Sequence, residues 1–384
     1  MRELEQIQDN QIFNEHIENV MNHIDSDKQS WLFGAGISYD AGIPLMSPLT
    51  DLVEMRMDQD NKRLLEKIKE SLEKDCHVEH ILSHIGDLLS LIDRTRKKEI
   101  KISETTYTKE NLEDLYREIL VKLTDIIRYG YNKKDDEIIY GTATEPLVSI
   151  EYHLEFIEGL LKNHLGVEKR RNIKFYTTNY DTLLEDALIL KRKKVVDGFS
   201  GGAMGFWNPK EYSERKELAY PVYKLHGSID WFQDEEYGLI RTRYGTKYTS
   251  DKSRVLIYPQ ATKYVETQKD PFATIFQAFR SDINSNQSKL FVCGYSFGDN
   301  HINNEIFNGL LKIHNNSTLI IFIDNMSDTL IDWQNNDLIN ERIYCLTSTG
   351  ICYKNKIYSE ENEQYNYPWW TFSGLTNFLN GTIK

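Results

Sequence analysis

The sequence predicts an α/β fold built on a Rossmann-like, mostly parallel β-sheet with a helical insertion. The first indication is an apolar run at residues 31–33 (WLF) that enters a glycine turn at residues 34–38 (GAGIS). Many nucleotide-binding α/β units begin with such a buried strand, glycine turn and helix. The second indication is that short apolar runs recur between residues 172 and 323, with helical segments between some of them. Such runs are typical of parallel strands covered on both faces.

The individual elements are predicted from hydrophobic spacing. An amphipathic helix is expected within residues 4–24, before the first strand. Later strands are predicted at 172–177, 220–225, 255–258, 289–293 and 318–323. Helices are predicted at 182–190 and 271–281. Because strands and helices alternate, we expect ligands outside the carboxyl ends of the parallel strands.

The whole chain, residues 1–384, is predicted to form a single domain with three parts. These parts are a Rossmann-like core (28–50 and 170–330), a helical insertion (51–168) and a C-terminal packing segment (331–384). Within the insertion, apolar residues recur at helical spacing near 64–91 and 112–127. The C-terminal segment is expected to pack down because Trp333 and the cluster at 368–370 (PWW) are costly to leave in water.

The composition predicts a folded protein and argues against several classes. The chain is 40% hydrophobic and 12% aromatic, which favours a globule over disorder. A net charge of −13 argues against direct nucleic-acid binding through overall charge. No apolar run approaches the roughly 20 residues of a membrane span, and no basic start followed by an apolar segment indicates a signal peptide. We therefore expect a soluble cytoplasmic protein.

The cysteines are too dispersed for a zinc ribbon. Cys76, Cys293, Cys345 and Cys352 form no C-x-x-C pair, a pattern that suits a reducing compartment. We therefore expect no structural zinc.

The glycine turn departs from the common dinucleotide fingerprint. The third glycine position is occupied by Tyr39, and the next strand comes only after the helical insertion. Backbone N–H groups of Gly34, Ala35 and Gly36 could hold a phosphate at the helix start. The alternative is a tight strand–helix connection with no ligand.

Three later segments place polar residues at strand ends. In the first, at residues 177–181 (TTNYD), Asn179 offers a donor and an acceptor and Asp181 a carboxylate. The alternative is that one of them only caps the following helix. In the second, His226 follows a strand beside a glycine, where a near-neutral pKa would suit proton transfer. Its alternative is a structural histidine. The third, at residues 291–299 (FVCGYSFGD), could add phosphate or ribose contacts.

Taken in order, these segments resemble the NAD-binding and catalytic motifs of the sirtuin family. The motifs are G-A-G-I-S-x-x-x-G-I-P (34–44), T-x-N-x-D (177–181), L-H-G-S (225–228) and G-x-S (294–296). The segment G-Y-S-F-G-D-N-H-I-N (294–303) is similar to a form found in bacterial sirtuin-like defence proteins. Sirtuin deacetylases usually continue G-I-P with D-F-R and carry two cysteine pairs, whereas this chain has L-M-S at 45–47 and no such pair.

The resemblance implies a sirtuin-type sheet and hydrolysis of NAD to nicotinamide and ADP-ribose, as in abortive-infection effectors of anti-phage defence. It implies that Asn179 positions water or the ribose hydroxyls, that Asp181 contacts the nicotinamide carboxamide, and that His226 is the base. The implied NAD-binding residues are Gly34, Ala35, Gly36, Ser38, Thr178, Gly294, Ser296 and Asp299.

The resemblance also suggests partners. A chain of this size with a single sirtuin-like domain resembles the stand-alone subunits that work beside a HerA-type hexameric ATPase, and we expect a homo-oligomer. Two other functions remain as alternatives. A non-catalytic NAD or ADP-ribose sensor would need a damaged His226 or Asn179, and both are present. A nuclease effector is disfavoured by the acidic charge and the lack of a metal-binding carboxylate set.

Two histidine groups have open interpretations. His77, His80 and His84 are spaced i, i+3 and i+7, so they could hold a metal, form a polar helix face, or belong to an insertion that covers the NAD pocket. His301 follows Asp299 closely and could support the ligand site or simply belong to a polar helix start.

Overall fold

A computed structural model describes residues 4–95, 98–134, 137–162, 172–213, 219–242, 254–257, 269–312, 315–361 and 366–381. The described residues form an α/β fold around a ten-stranded sheet, with a five-stranded sheet and two hairpins beside it. Most neighbouring strands of the large sheet are parallel, which confirms the predicted fold class.

The strands, in chain order, are β1 (Glu5–Gln8), β2 (Lys28–Phe33), β3 (Glu99–Ile102), β4 (Thr105–Thr108), β5 (Tyr131–Lys134), β6 (Glu137–Tyr140), β7 (Asn172–Thr177), β8 (Lys194–Val196), β9 (Phe199–Gly201), β10 (Met204–Trp207), β11 (Ala219–Lys224), β12 (Gly227–Asp234), β13 (Gly238–Thr242), β14 (Arg254–Ile257), β15 (Lys289–Cys293), β16 (Thr318–Phe322), β17 (Ile343–Thr347), β18 (Gly350–Tyr353) and β19 (Lys356–Ser359).

The helices are α1 (Asn10–Ile24), α2 (Gly36–Tyr39), α3 (Met46–Met55), α4 (Gln59–Lys69), α5 (Val78–Arg94), α6 (Lys109–Tyr129), α7 (Glu151–Leu161), α8 (Leu183–Leu190), α9 (Phe272–Ile283), α10 (Asn300–Leu311), α11 (Asp328–Gln334) and α12 (Phe372–Leu379). None of these helices is both long enough and apolar enough to span a lipid bilayer.

The large sheet reverses its strand order beside β2. Its order is β1-β19-β18-β17-β16-β15-β2-β7-β11-β8. From β2 the chain builds β7, β8 and β11 on one side, and it then returns to place β15 on the other side. In open α/β sheets, ligands bind at such a reversal, outside the carboxyl ends of the strands. The crevice between the ends of β2 and β15 is therefore the expected binding position.

Helices cover both faces of the large sheet. Trp31 and Phe33 of β2 point to one face, where they pack with side chains of α1, α7, α8 and α12. Leu32 points to the other face, which is packed by α9, α10 and α11. Coverage on both faces explains why the central strands read as continuous apolar runs.

The helices α3 to α6 form a layer with a hydrophobic cluster of its own, which we call the helical layer. It also contains the hairpins β3–β4 and β5–β6. Its cluster includes Leu82 of α5 and Leu123 of α6. It is completed by Tyr180 of the loop after β7, Leu183 of α8 and Ile229 of β12. The helical layer thus packs directly against the polar loop that follows β7.

Two sequence predictions differ from the structure. The N-terminal helix begins only at Asn10, because Asp9 caps it by accepting from the N–H groups of Gln11 and Ile12. The preceding residues instead pair as β1 with β19. The strand predicted at 255–258 lies in the five-stranded sheet, where β14 pairs antiparallel with β12. Tyr258 lies outside the described residues. Hydrophobic spacing identifies a strand without identifying the strand beside it.

The C-terminal segment packs onto the large sheet. Trp369 is fully buried, and its indole N–H donates to the carbonyl of Thr347 at 2.7 Å. Phe372 of α12 packs against Phe156 of α7 with ring centroids 5.2 Å apart.

Candidate active site

The candidate site lies at the carboxyl ends of four neighbouring strands. The glycine turn follows β2, the loop at residues 178–182 follows β7, His226 follows β11, and a second glycine turn follows β15. Parallel pairing of these strands brings segments nearly 260 residues apart to one edge of the sheet.

The two glycine turns contact each other through their backbones. The N–H of Gly34 donates to the carbonyl of Cys293 at 3.1 Å, and the N–H of Gly36 donates to that of Gly294 at 2.9 Å. A Cβ on Gly34 would lie 2.5 Å from the Gly294 carbonyl oxygen, and one on Gly36 would lie 2.6 Å from Gly294 Cα. These positions therefore require glycine for close backbone approach.

The contact between the two turns limits which backbone N–H groups of residues 34–36 are available to bind a phosphate. The N–H groups of Gly34 and Gly36 are directed at the second turn. Ala35 is the exposed residue of the first turn, and its N–H has no partner among the described residues. Any phosphate contact from the backbone of this turn would therefore centre on Ala35.

Ser38, Asn179 and Asp181 form a buried hydrogen-bond chain. The hydroxyl of Ser38 donates to Oδ2 of Asp181 at 2.7 Å, so it accepts from Nδ2 of Asn179 at 2.9 Å. In this arrangement the amide nitrogen of Asn179 is used, and its carboxamide oxygen remains as an acceptor. That oxygen is buried and has no hydrogen-bond partner within the described part of the chain. A buried acceptor left unpaired is costly, and a bound ligand or water would satisfy it.

Asp181 also caps α8. Its Oδ1 accepts from the N–H of Leu183 at 3.0 Å, as the capping alternative requires. Asn179 makes no such cap; its own N–H donates to Oγ1 of Thr177 at 3.0 Å. Thr178 is half-buried and donates its N–H to the carbonyl of Phe33 at 3.0 Å, which ties this loop to the end of β2.

His226 pairs with Asp299. Nε2 of His226 lies 3.0 Å from Oδ2 of Asp299, and both side chains are buried. Oδ1 of Asp299 caps α10 by accepting from the N–H groups of His301, at 2.9 Å, and Ile302, at 3.4 Å. A carboxylate at this position stabilises the tautomer with hydrogen on Nε2, which makes Nδ1 the basic nitrogen. Asp299, predicted to bind NAD, therefore lies against the predicted base.

The second glycine turn is held by residues that were not predicted. The hydroxyl of Tyr295 lies 3.1 Å from the carbonyl oxygen of Asp299 and 3.0 Å from Oδ1 of Asn303. Nδ2 of Asn303 donates to the carbonyl of Phe297 at 2.7 Å. Phe297 has a φ of 59°, a conformation that costs energy in a non-glycine residue. Gly294 is half-buried, whereas Ser296 is exposed and available to a ligand.

His301 contributes through its backbone. Its ring packs edge-on against Phe276 with centroids 4.7 Å apart, while its N–H reaches Asp299. His301 therefore supports the site through the hydrogen bond from its N–H to Asp299.

A buried ionic cluster next to the loop at residues 178–182 was not predicted from the sequence. Lys224, the last residue of β11, is 1% exposed, and its ammonium lies 3.3 Å from Oε1 of Glu185. It also donates to the main-chain carbonyl of Asp181. Oε2 of Glu185 and Oδ1 of Asp230 are buried, without a partner among the described residues. The only sequence signal is a lysine directly before the L-H-G-S motif.

The pKa values of this cluster reflect burial and mutual charge. Burial raises the pKa of Glu185 to about 7 and also raises the pKa of Asp230. Burial opposes the charge of Lys224, but the carboxylates of Glu185, Asp181 and Asp230 outweigh it, so the pKa of Lys224 is raised. The ammonium is thus the stable charge, and Glu185 and Asp230 take up protons more readily than usual because their pKa values are raised.

Two further buried side chains, those of Tyr180 and His153, lie on elements next to the site. The hydroxyl of Tyr180 donates to Oε1 of Glu79 at the start of α5, and burial raises the pKa of Tyr180 well above its usual value. His153 of α7 is fully buried, and neither ring nitrogen has a partner among the described residues. Burial lowers the pKa of His153 to about 4, against the smaller opposing effect of Asp181 and Asp40.

The histidine series of the helical layer lies at the start of α5. The rings of His77 and His80 are 3.9 Å apart, and the N–H of His77 donates to Nδ1 of His80 at 3.3 Å. Within the described ranges, no group of three or more His, Cys, Asp or Glu side chains is arranged to hold a metal ion.

Comparisons with known proteins find a similarity to a known domain family for part of the chain. Residues 173–341 match the sequence model of the SIR2-like domain, a span that contains Asn179, His226 and Asp299 but not the first glycine turn. The chain is also similar to a solved structure of a histidine-to-asparagine mutant of a Sir2 homologue in complex with ADP-ribose. That similarity covers 95% of this chain and 96% of the other, at 11% identity and a TM-score of 0.40. No curated protein gave a significant match. Residues 173–341, which hold β7 to β16, are thus similar to a SIR2-like domain.

Proposed function

We propose that this protein is an NAD⁺ hydrolase that releases nicotinamide and ADP-ribose. The observation that carries the proposal is the unpaired, buried carboxamide oxygen of Asn179 beside the ends of the strands that hold the His226–Asp299 pair. Buried polar atoms at the crevice of an α/β sheet are the expected signature of a binding site. The SIR2-like match supports an NAD-related activity for the same segment.

The residues present suit a dinucleotide substrate. The Asn179 oxygen can accept from a ribose hydroxyl or a water, and Ser38 holds the carboxamide in that orientation. The N–H of Ala35 and the hydroxyl of Ser296 are on exposed residues of the two glycine turns, where a pyrophosphate or ribose could lie. We propose these contacts, with Gly34, Gly36 and Gly294 allowing the turns to approach.

The reaction breaks the bond between nicotinamide and ribose C1′ and forms a bond from a water oxygen to C1′. Nicotinamide leaves as a neutral molecule, and the attacking water loses one proton. Asn179 would orient the water or the ribose hydroxyls through its carboxamide oxygen. His226 would take the proton at Nδ1, and the Asp299 carboxylate would stabilise the resulting imidazolium. A positioned base of this kind typically contributes ~10²–10⁴ in rate.

The part played by Asp181 follows from its contacts. Its two oxygens accept from Ser38 and Leu183, so it orients Ser38 and, through Ser38, the carboxamide of Asn179. Each carboxylate oxygen can accept more than one hydrogen bond. We propose that the expected contact with the nicotinamide carboxamide is made in addition to these two.

Nicotinamide release from NAD⁺ tests the proposed activity. His226→Ala and Asn179→Ala should remain folded by circular dichroism yet lose at least about 10²-fold in release, because each removes one group that acts on the water or ribose. His84→Ala, which changes a half-buried histidine outside the site, should match wild type.

Wild-type turnover by either site variant would contradict the assignment. Parallel reactions with DNA or RNA distinguish the other candidates: a sensor would bind NAD⁺ without release, and a nuclease would cleave the nucleic acid.

We further propose that the enzyme is an anti-phage effector whose activity is controlled by assembly, as a homo-oligomer and with a HerA-type hexameric ATPase. An uncontrolled NAD⁺ hydrolase would be toxic to its own cell, so a control of this kind is needed. The proposal rests on the sirtuin-like motifs. Co-expression with such an ATPase should give a complex on gel filtration and change the rate of nicotinamide release. Separate elution with an unchanged rate would reject it.

A further inference from the structure

Lys224 is an unusual residue to bury at the end of a strand. It is the last residue of β11, Cα-paired with Thr177 at the end of β7, and its side chain is 1% exposed. Removing an ammonium from water is expensive unless strong partners replace the water. Lys224 therefore needs a structural reason for its position, two residues before His226.

The partners of Lys224 lie on the segment that carries Asn179. Its ammonium donates to the main-chain carbonyl of Asp181 and pairs with Glu185 on α8 at 3.3 Å. A hydrogen bond from a charged donor is about twice as strong as one between neutral groups. The lysine thus fixes the backbone of Asp181 from below, whereas Ser38 and Leu183 hold its side chain.

Further hydrogen bonds connect the segment at residues 177–181 with the segment at residues 224–229, and we call this set of bonds together with the Lys224 contact the clamp. The carbonyl of Thr177 accepts from the N–H of Leu225 at 2.8 Å. The carbonyl of Tyr180 accepts from Oγ of Ser228 at 3.1 Å and from the N–H of Ile229 at 3.0 Å. Together with the Lys224 contact, these bonds tie residues 177–181 to residues 224–229. Their geometry sets the position of Asn179 relative to His226.

We propose that Lys224 is a positioning residue: its ammonium, paired with Glu185, fixes the Asp181 backbone and thereby aligns Asn179 with His226 for hydrolysis. The inference rests on the proposed function, because the alignment of Asn179 with His226 affects a rate only if this site hydrolyses NAD⁺. A misplacement of about 1 Å in a reacting group can cost roughly 10²-fold in rate. Loss of the clamp should therefore reduce kcat more than substrate affinity.

The test must avoid leaving the carboxylate of Glu185, which pairs directly with Lys224, without its partner. Lys224→Met alone would leave the Glu185 carboxyl without its partner, so the informative variant is Lys224→Met with Glu185→Gln. The matched control is Glu185→Gln alone, which removes the carboxylate and keeps the ammonium on the Asp181 carbonyl. The double variant should lose about tenfold or more in kcat against the control. Its KM for NAD⁺ should stay within about threefold, since Lys224 does not contact the substrate in this scheme.

Hydrogen exchange gives a readout that does not depend on catalysis. Amides in residues 178–183 should exchange faster in the double variant than in Glu185→Gln, while those of β2 and β15 should not change. Unchanged exchange in this loop, or a kcat equal to that of the control, would overturn the proposal. If wild type releases no nicotinamide, the proposed function fails, and the exchange comparison still decides whether Lys224 holds the loop.

Discussion

At the scale of single residues, the candidate site depends on polar groups that the fold buries and only partly satisfies. The Asn179 oxygen and both ring nitrogens of His153 have no partner among the described residues. Each unsatisfied buried group costs about 1–3 kcal/mol. A cost of this size persists at sites where a ligand or water completes the hydrogen bonds. For Asn179 the proposed substrate supplies this completion, whereas for His153 the cost should appear in stability.

His153 should make the folded state sensitive to mild acid. Burial lowers its folded-state pKa to about 4, below the usual value of 6.5. As pH falls from 6.5 to 4, the unfolded chain binds a proton on this histidine and the folded chain does not. The free energy of unfolding should therefore fall by as much as about 3 kcal/mol over this range. At pH 7.5 the histidine is neutral in both states, so the free energy of unfolding has none of this loss.

His153→Leu removes the titrating group and its two unpaired nitrogens. The variant should be at least as stable as wild type at pH 5 and should show a flatter loss of denaturation midpoint between pH 6.5 and 4. Some slope should remain, since burial also lowers the pKa of His23 to about 4. Guanidinium titrations at pH 7.5, 6 and 5 measure the effect, with His84→Leu as the control. Equal slopes for wild type and His153→Leu would rule out this account.

At the scale of elements, the central strands could be predicted and their neighbours could not. The apolar runs that became β7 and β15 have the predicted bounds, because a strand buried on both faces leaves a continuous apolar signal. The strand β1 and the pairing of β14 could not be predicted, since both depend on contacts with distant strands. The glycine turns were identified from sequence, but the close contact of Gly36 with Gly294 joins turns 258 positions apart and leaves no local signal.

The candidate site follows the same division. Asn179, Asp181 and His226 could be proposed from sequence because they follow predicted strands and belong to motifs that resemble those of the sirtuin family, although Asp181 also caps α8. Lys224 and Glu185 were missed because a lysine is normally exposed, and only tertiary packing reveals that this one is buried. The pairing of His226 with Asp299 also joins two distant strand ends, so sequence spacing alone could not define the tautomer of the histidine.

At the scale of the whole molecule, the hydrophobic cluster of the helical layer is shared with residues that lie beside the candidate site. The cluster of α3 to α6 includes Tyr180 of the loop at residues 178–182, Leu183 directly after that loop, and Ile229, whose N–H donates to the Tyr180 carbonyl. Tyr180 also donates to the buried carboxylate of Glu79, two residues after His77. The layer therefore cannot separate from the sheet without exposing the segment that carries Asn179. We infer that the two parts unfold together.

The tryptophans make this cooperativity measurable. They stand at positions 31, 207, 231, 333, 369 and 370, all outside the helical layer, so fluorescence reports the sheet while far-ultraviolet circular dichroism reports the helices of both parts. In a denaturant titration of wild type the two signals should have coincident midpoints, as expected when no intermediate accumulates.

Tyr180→Phe leaves the Glu79 carboxylate without the hydroxyl that donates to it. It should cost about 1–3 kcal/mol and lower both midpoints together. Tyr237→Phe, at a 49% exposed position, should leave both unchanged. A circular dichroism midpoint that precedes the fluorescence midpoint in wild type would show that the helical layer unfolds alone, contrary to a shared core.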